Sequence, residues 1–266
     1  MEKLDYLINY LLEENNEIKL NSEDKTMDEK RKIYRSLCNV REPREISEEY
    51  IKMETEYLQE ELSHENITDV QNLPTIYEKY SESSLKNTDK MVIWQGDITK
   101  LKVNAIVNAA NSKGLGCFIP LHNCIDNQIH TYAGIPLRLE CDRKMRTLDY
   151  NLPTGEAFLT HGYNLPSDYV LHTVGPIISD RVTSSKIKEL SDCYRNCLKI
   201  SIENDIRTVS FPCISTGVFR FPKDYACNIA LKTVDDFLND NRDHFDKIVF
   251  NLHNNQDVEL YEQFIR

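Results

Sequence analysis

A three-layer α/β domain with a mixed, mostly parallel central sheet, preceded by a helical extension, is the fold this sequence predicts. Three observations predict it. From residue 91 onward, short β-rich runs alternate with amphipathic stretches of helical period. All eight glycines lie at Gly96 or later. The first ninety residues carry 22 acidic against 13 basic side chains and no glycine. The change of character places a helical extension at residues 1–85 and the main domain at 86–266.

The extension reads as helical because it lacks the residue that most readily takes φ > 0 in tight turns. Leu4, Leu7, Ile8, Leu11 and Leu12 fall at i, i+3, i+4, i+7 and i+8, one apolar helix stripe. Thr26 with Glu29 has the spacing of a capping box and opens a second helix through Tyr34 and Leu37. Ile46, Tyr50, Met53 and Tyr57 predict a third, beginning after Glu42-Pro43. These helices read as packed on the main body, with a separately acting recognition module as the alternative. Ser81-Glu82-Ser83-Ser84 reads as the connecting loop.

In the main domain, strands are predicted at 91–95, 105–108, 157–161, 169–174, 208–212 and 248–252. Helices are predicted near 126–133, 136–146, 186–204, 224–238 and 258–265. Strands that are apolar on both faces and separated by helices imply a sheet covered on both sides. Ligands of such sheets bind at the carboxyl ends of the strands.

Composition excludes several classes. The 266 residues have a net charge of −11, and a pI near 5.2 argues against non-specific nucleic-acid binding, which needs clustered Lys and Arg. No apolar run reaches the ~20 residues that span a bilayer. The acidic start, Met1-Glu2-Lys3-Leu4-Asp5, lacks the layout of a secretory signal. A cytoplasmic, monomeric protein is expected, with its eight cysteines reduced.

Three runs at strand ends carry chemistry. Gln95-Gly96-Asp97-Ile98-Thr99 ends the first strand with a carboxylate able to accept from an exocyclic amine, although Gly-Asp is also common turn chemistry. Asn108-Ala109-Ala110-Asn111 combines small residues, which let backbone approach a ligand, with amides that donate and accept. Ile214-Ser215-Thr216-Gly217-Val218-Phe219 presents successive N–H groups before a helix, an anion cradle suited to a diphosphate.

Together with His172-Thr173-Val174-Gly175-Pro176, these runs resemble the macrodomain family, in that family's order, over about residues 91–266. Ile125-Asp126-Asn127-Gln128-Ile129-His130 also resembles the catalytic helix start of MacroD-like hydrolases. The resemblance implies an ADP-ribose site in which Asp97, beside Ile98, contacts adenine. It implies that Ser215, Thr216, Gly217, Val218 and Phe219 wrap the diphosphate and that Asn111 faces the distal ribose.

Between Asn111 and Asp126 the common macrodomain pattern is replaced by a longer loop, residues 116–124. Its Cys117, His122 and Cys124 supply two thiols and an imidazole, which suit Zn²⁺ and leave a fourth position open. The loop resembles that of zinc-containing bacterial macrodomains, which also carry an N-terminal helical extension. One Zn²⁺ per chain is expected. The other cysteines read as small buried hydrophobes or as lacking a partner pattern. His161 and His172 read as core imidazoles, and His130 is ambiguous between packing and function.

The expected reaction is removal of mono-ADP-ribose from Asp/Glu-type ester linkages on proteins. Asp126 would orient or deprotonate water, and Asn111 would hold the ribose hydroxyls. The structural alternative for Asp126 is an N-cap of the following helix. The resemblance further implies reversal of modification by a sirtuin-like transferase, with a glycine-cleavage-H-like lipoyl carrier protein as substrate. The competing reading is an ADP-ribose reader whose zinc only braces the loop.

Overall fold

The computed structural model describes residues 2–15, 25–80 and 82–266, so Ser81 of the expected connecting loop lies outside the described residues. The extension forms α1 (Glu2–Glu14), α2 (Met27–Val40) and α3 (Glu48–Ser63). The capping box at α2 is present: the Glu29 N–H donates to Thr26 Oγ1, and Thr26 N–H donates to Glu29 Oε2. Ser47 caps α3. Leu4, Leu7, Ile8 and Leu11 of the α1 stripe are buried against Tyr34, Leu37, Tyr50 and Tyr57, while Leu12 is only partly buried.

The chain continues through β1 (Thr68–Asp69), α4 (Ile76–Lys79), β2 (Met91–Gln95), β3 (Leu101–Lys102) and β4 (Ala105–Ala109). Then follow α5 (Ile125–Ala133), α6 (Ile135–Arg146), β5 (Ala157–His161), β6 (Tyr169–Thr173) and α7 (Ser184–Glu203). The chain ends with β7 (Thr208–Phe211), α8 (Lys223–Asn241), β8 (Lys247–Leu252) and α9 (Asn255–Ile265). The main sheet has the order β2-β8-β7-β4-β6-β5, parallel throughout except for the antiparallel β5–β6 pair. β1 and β3 form a separate parallel pair.

Strand alternation divides the core in two. Met91, Ile93, Ala105, Val107, Ile248 and Phe250 face α7, α8 and α9. Val92, Ile106, Val170 and Val249 face the other way, onto Ile129 of α5 and Leu137 of α6. Both faces are therefore covered, which is why Met91–Ile93, Ala105–Val107 and Ile248–Phe250 read as continuous apolar runs.

The extension packs on the outer side of this second helix layer. Ile135 joins the apolar cluster of α1–α3. Arg138 Nη1 donates to the carbonyl oxygens of Cys38, Asn39 and Arg41 at 2.7, 3.1 and 2.6 Å. A cation at the carbonyl-rich end of α2 complements the helix dipole.

Three expectations need correction. β7 stops at Phe211 rather than at 212, because Pro212 has no N–H for the ladder, and Cys213 therefore lies past the strand. His161 is no core imidazole: its side chain is 70 % exposed at the end of β5 and pairs with Glu140 at 3.2 Å. Asp126 is not the N-cap of α5. That position belongs to Cys124, whose Sγ accepts from Asn127 N–H at 3.4 Å.

Candidate active site

Parallel register brings the candidate residues to one edge. Gln95 lies opposite Leu252, Phe211 opposite Phe250, and Ala109 opposite Thr173. The segments that follow β2, β4, β6 and β7 therefore leave the sheet on the same side, at its carboxyl end. Ala110 N–H still donates to Thr173 O at 2.9 Å, which carries Asn111 past the rim before the chain turns.

At one part of this rim, Thr99 N–H and Oγ1 donate to Asp97 Oδ1 at 3.0 and 2.7 Å. The other oxygen, Oδ2, has Lys100 Nζ at 3.9 Å. Ile98 is buried in the core, so only its backbone can meet a ligand. The loop after β7 turns sharply, with Ser215 at φ 66°. Gly175 makes this possible, since a Cβ there would run into Ser215 Oγ. Among the described residues, the N–H groups of residues 217–219 and the buried Ser215 Oγ have no partner within the chain. Donors concentrated in one turn suit an anion. Val218 is 74 % exposed, whereas Phe219 packs at the edge of the core.

Asp126 occupies the first turn of α5 and is only 4 % exposed. Asn108 Nδ2 donates to its Oδ1 at 2.7 Å, and Asn111 Nδ2 donates to its Oδ2 at 3.3 Å. Burial pushes this carboxyl up to about 6, while the Asn108 hydrogen bond and the Arg138 charge hold it down. Asn108 is itself fixed by His172, whose Nδ1 lies 3.2 Å from Asn108 Nδ2 and whose Nε2 lies 2.9 Å from Thr160 Oγ1. The opposite amide orientation would set the Asn108 carbonyl oxygen against the Asp126 carboxylate. Asn108 therefore donates, His172 Nδ1 accepts, and the proton resides on Nε2, facing Thr160. Burial holds His172 down to about 3, so the ring is neutral.

Cys117, His122 and Cys124 meet in the loop between β4 and α5. Their ligand atoms all lie within 4.8 Å of one another, with Cys117 Sγ and His122 Nδ1 3.5 Å apart. All three side chains are half-buried. Two thiols and an imidazole at this separation fit a tetrahedral Zn²⁺ and leave one position for an outside oxygen. Burial raises the Cys124 thiol to about 12, and a coordinated cation acts in the opposite direction. A second group, His130, Cys141 and His172, is buried, with His130 Nε2 3.6 Å from Asp126 Oδ1. There His172 Nε2 is already engaged by Thr160.

Comparison with known proteins bears on the same rim. The chain matches the Macro domain family over residues 107–230. A protein-ADP-ribose hydrolase of Treponema medium is 42% identical over 264 residues, covering 99% of this chain and 98% of its own. The chain belongs to the macrodomain family of protein-ADP-ribose hydrolases. A Staphylococcus aureus protein of the same name is 41% identical over 98% of this macrodomain chain and 94% of its own. An Oceanobacillus iheyensis macrodomain with ADP superposes with a TM-score of 0.60 at 36% identity, covering 67% of this chain and 92% of its own. A Trypanosoma brucei macrodomain in complex with ADP-ribose gives 0.66 at 28% identity, covering 86% and 94%.

In this macrodomain, Asp97, Asn111, the 215–219 loop and the cysteine–histidine cluster stand at the carboxyl edge of the sheet or on loops leaving it, and Asp126 lies in the first turn of the helix that one of these loops enters. Sequence reasoning left Asn108, His172 and Thr160 without a role toward Asp126. One signal was available: Asn108 is a polar residue two positions after Ile106, hence on the same, core-facing side of its strand. It also missed two residues of the extension, Arg35 and Asn39, which reach the 117–124 loop.

Proposed function

We propose that this macrodomain is a zinc-dependent hydrolase that removes mono-ADP-ribose from proteins modified through Asp/Glu-type ester linkages. The observation that carries the reading is the placement of Asp126. Two asparagines hold its carboxylate in the first turn of α5, the helix that Cys124 caps at the end of the cysteine–histidine loop. A general base and a metal ligand set thus share one short segment.

The residues divide the work as follows. Asp97 accepts from the adenine amine, and the donors of residues 215–219 take the diphosphate. Asn111 holds the distal ribose, where its amide also touches Asp126. Phe219 limits the motion of that ribose, which keeps the scissile bond near the carboxylate. Asp126 orients a water and takes its proton as the ester bond breaks. Cys117, His122 and Cys124 would hold Zn²⁺, which when bound supplies Lewis acidity toward an oxygen of ribose, ester or water. The names of the Treponema medium and Staphylococcus aureus relatives support the hydrolase assignment. Reversal of sirtuin-type modification, with a glycine-cleavage-H-like lipoyl carrier as substrate, is carried by the resemblance of the loop and extension to zinc-containing macrodomains.

The direct test is turnover of an Asp-linked ADP-ribosylated protein before and after chelation, with metal content measured in parallel. Near one zinc per chain is expected, lost in Cys117→Ala, and turnover should fall with it. Full zinc stoichiometry in Cys117→Ala removes the metal assignment. Binding of ADP-ribose with no turnover under any metal condition would make the protein a reader.

Adenine recognition has its own test. Asp97→Ala should weaken ADP-ribose binding by about 1–3 kcal/mol, the cost of a charge-assisted hydrogen bond. Calorimetry that finds unchanged affinity would place adenine elsewhere on the rim.

A further inference from the structure

The loop that carries Cys117, His122 and Cys124 is held from outside by the helical extension. On α2, Arg35 Nη2 donates to the His122 carbonyl oxygen at 3.0 Å. The same guanidinium grips Asn127 Oδ1 through Nη2 at 2.8 Å and Nε at 3.2 Å. Asn127 passes the restraint on, its Nδ2 donating to Ile119 O at 3.0 Å. One turn further along α2, Asn39 is 1 % exposed and its Oδ1 accepts from Leu121 N–H at 3.0 Å. Leu121 has φ 57°, a left-handed conformation that a branched residue keeps only when its surroundings impose it.

These bonds fall on both sides of His122 and just beyond Cys124. α2 is itself anchored where it makes them, because Arg138 ties its last carbonyls to α6 and, through Nε, reaches Leu115 O at 2.8 Å at the start of the loop. A planar guanidinium that bonds a carbonyl and an amide oxygen together fixes an orientation that a lysine cannot.

We propose that α2 is the outer support of the cysteine–histidine cluster, with Arg35 and Asn39 as positioning residues that set the 117–124 loop in its ligating conformation before a metal arrives. This rests on the zinc reading of that cluster. Partners beyond the direct ligands strengthen a metal site by fixing ligand orientation, and loop ordering is then completed during folding rather than at binding. The extension thereby acquires a role at the site, although it contributes none of the three candidate ligands.

Arg31 supplies the control. It lies one turn before Arg35 on the same helix, but its guanidinium bonds Glu61 of α3 and Asp28, within the extension. The test uses full-length protein and two measurements. Zinc affinity is read by competition with a chromophoric chelator, and amide hydrogen exchange across residues 119–124 is read in metal-free protein. Arg35→Ala should weaken zinc by about 10–100-fold and speed exchange of the loop. ADP-ribose affinity should stay within about twofold of wild type, and Arg31→Ala should change neither loop exchange nor zinc affinity. Wild-type zinc affinity and exchange in Arg35→Ala overturn the proposal. Equal losses in Arg35→Ala and Arg31→Ala overturn it too, since the effect would then belong to packing of the extension as a whole. A wild-type chain that takes up no zinc defeats the zinc reading instead, and loop exchange in the two variants then decides the support role alone.

Discussion

Replacing Asp126 by alanine should lower turnover of an ester-linked ADP-ribosylated protein by about 10²–10⁴-fold while ADP-ribose affinity changes only a few-fold. The split follows from geometry. Asp97 and the 215–219 donors, which would hold adenine and diphosphate, lie on segments after β2 and β7, whereas Asp126 belongs to α5. Binding therefore survives when the base is lost. Alanine also leaves one buried N–H of the Asn108 amide without its Asp126 acceptor, while the other still meets His172, so a stability loss of about 1–3 kcal/mol is expected. Asp126→Asn keeps the volume and removes the proton acceptor, and it separates the two effects. Both variants should be compared with wild type below their unfolding transitions, by single-turnover release of ADP-ribose. Near-wild-type release by a folded Asp126→Asn protein would remove the general-base role. If His122→Ala is also inactive, the double variant should be little worse than the poorer single one, because groups acting in one step are not additive.

The legible parts of this molecule were those whose signal is local. The strands of the main sheet stand out because each holds a short β-rich run, nearly continuous and apolar where both faces are buried, as at Met91–Ile93, Ala105–Val107 and Ile248–Phe250. Thr26 and Glu29 announce α2 because a capping box is complete within four residues. Cys117, His122 and Cys124 likewise come together because one loop holds all three. Other features had no local signal. β1 and β3 are two residues each, and α4 is four, too short for any period to register. The antiparallel sense of β5 is set by its pairing with β6, not by its composition. His161 sits in a β-rich run, yet the strand ends there and its ring turns to solvent.

Long-range polar contacts were the least accessible. Arg35 meets His122 and Asn127 across 87 and 92 residues of chain. A charged residue on the hydrophilic side of a helical stripe gives no hint of such a partner. The same holds for Asn108, whose bond to Asp126 depends on β4 and α5 facing each other across the second core layer. In each case the residue type was visible and the partner was created by the fold.

Glu54 is a further instance, and it makes stability pH-dependent. It lies on α3, fully buried, where Tyr34 Oη donates to Oε1 at 2.7 Å and the Ile135 N–H at the start of α6 donates to Oε2 at 2.9 Å. Burial pushes its pKa from 4.5 up to about 7, against the pull of those two hydrogen bonds and of Arg41. The folded chain then holds a proton that the unfolded chain has released between about pH 4.5 and 7. Stability contributed at this site is accordingly full below pH 4.5 and falls as pH rises through 7. A shift of that size corresponds to about 3 kcal/mol once Glu54 is ionised in both states. Glu54→Gln keeps an acceptor for Ile135 and carries no charge at any pH. Relative to wild type it should therefore gain about 3 kcal/mol between pH 4.5 and pH 8, measured as the difference in urea unfolding free energy between the two proteins at each pH. Other titrating groups cancel in that difference. A difference that stays flat across this range would mean that Glu54 is ionised in the fold at pH 5, with the α6 N-terminus and Tyr34 offsetting its burial completely.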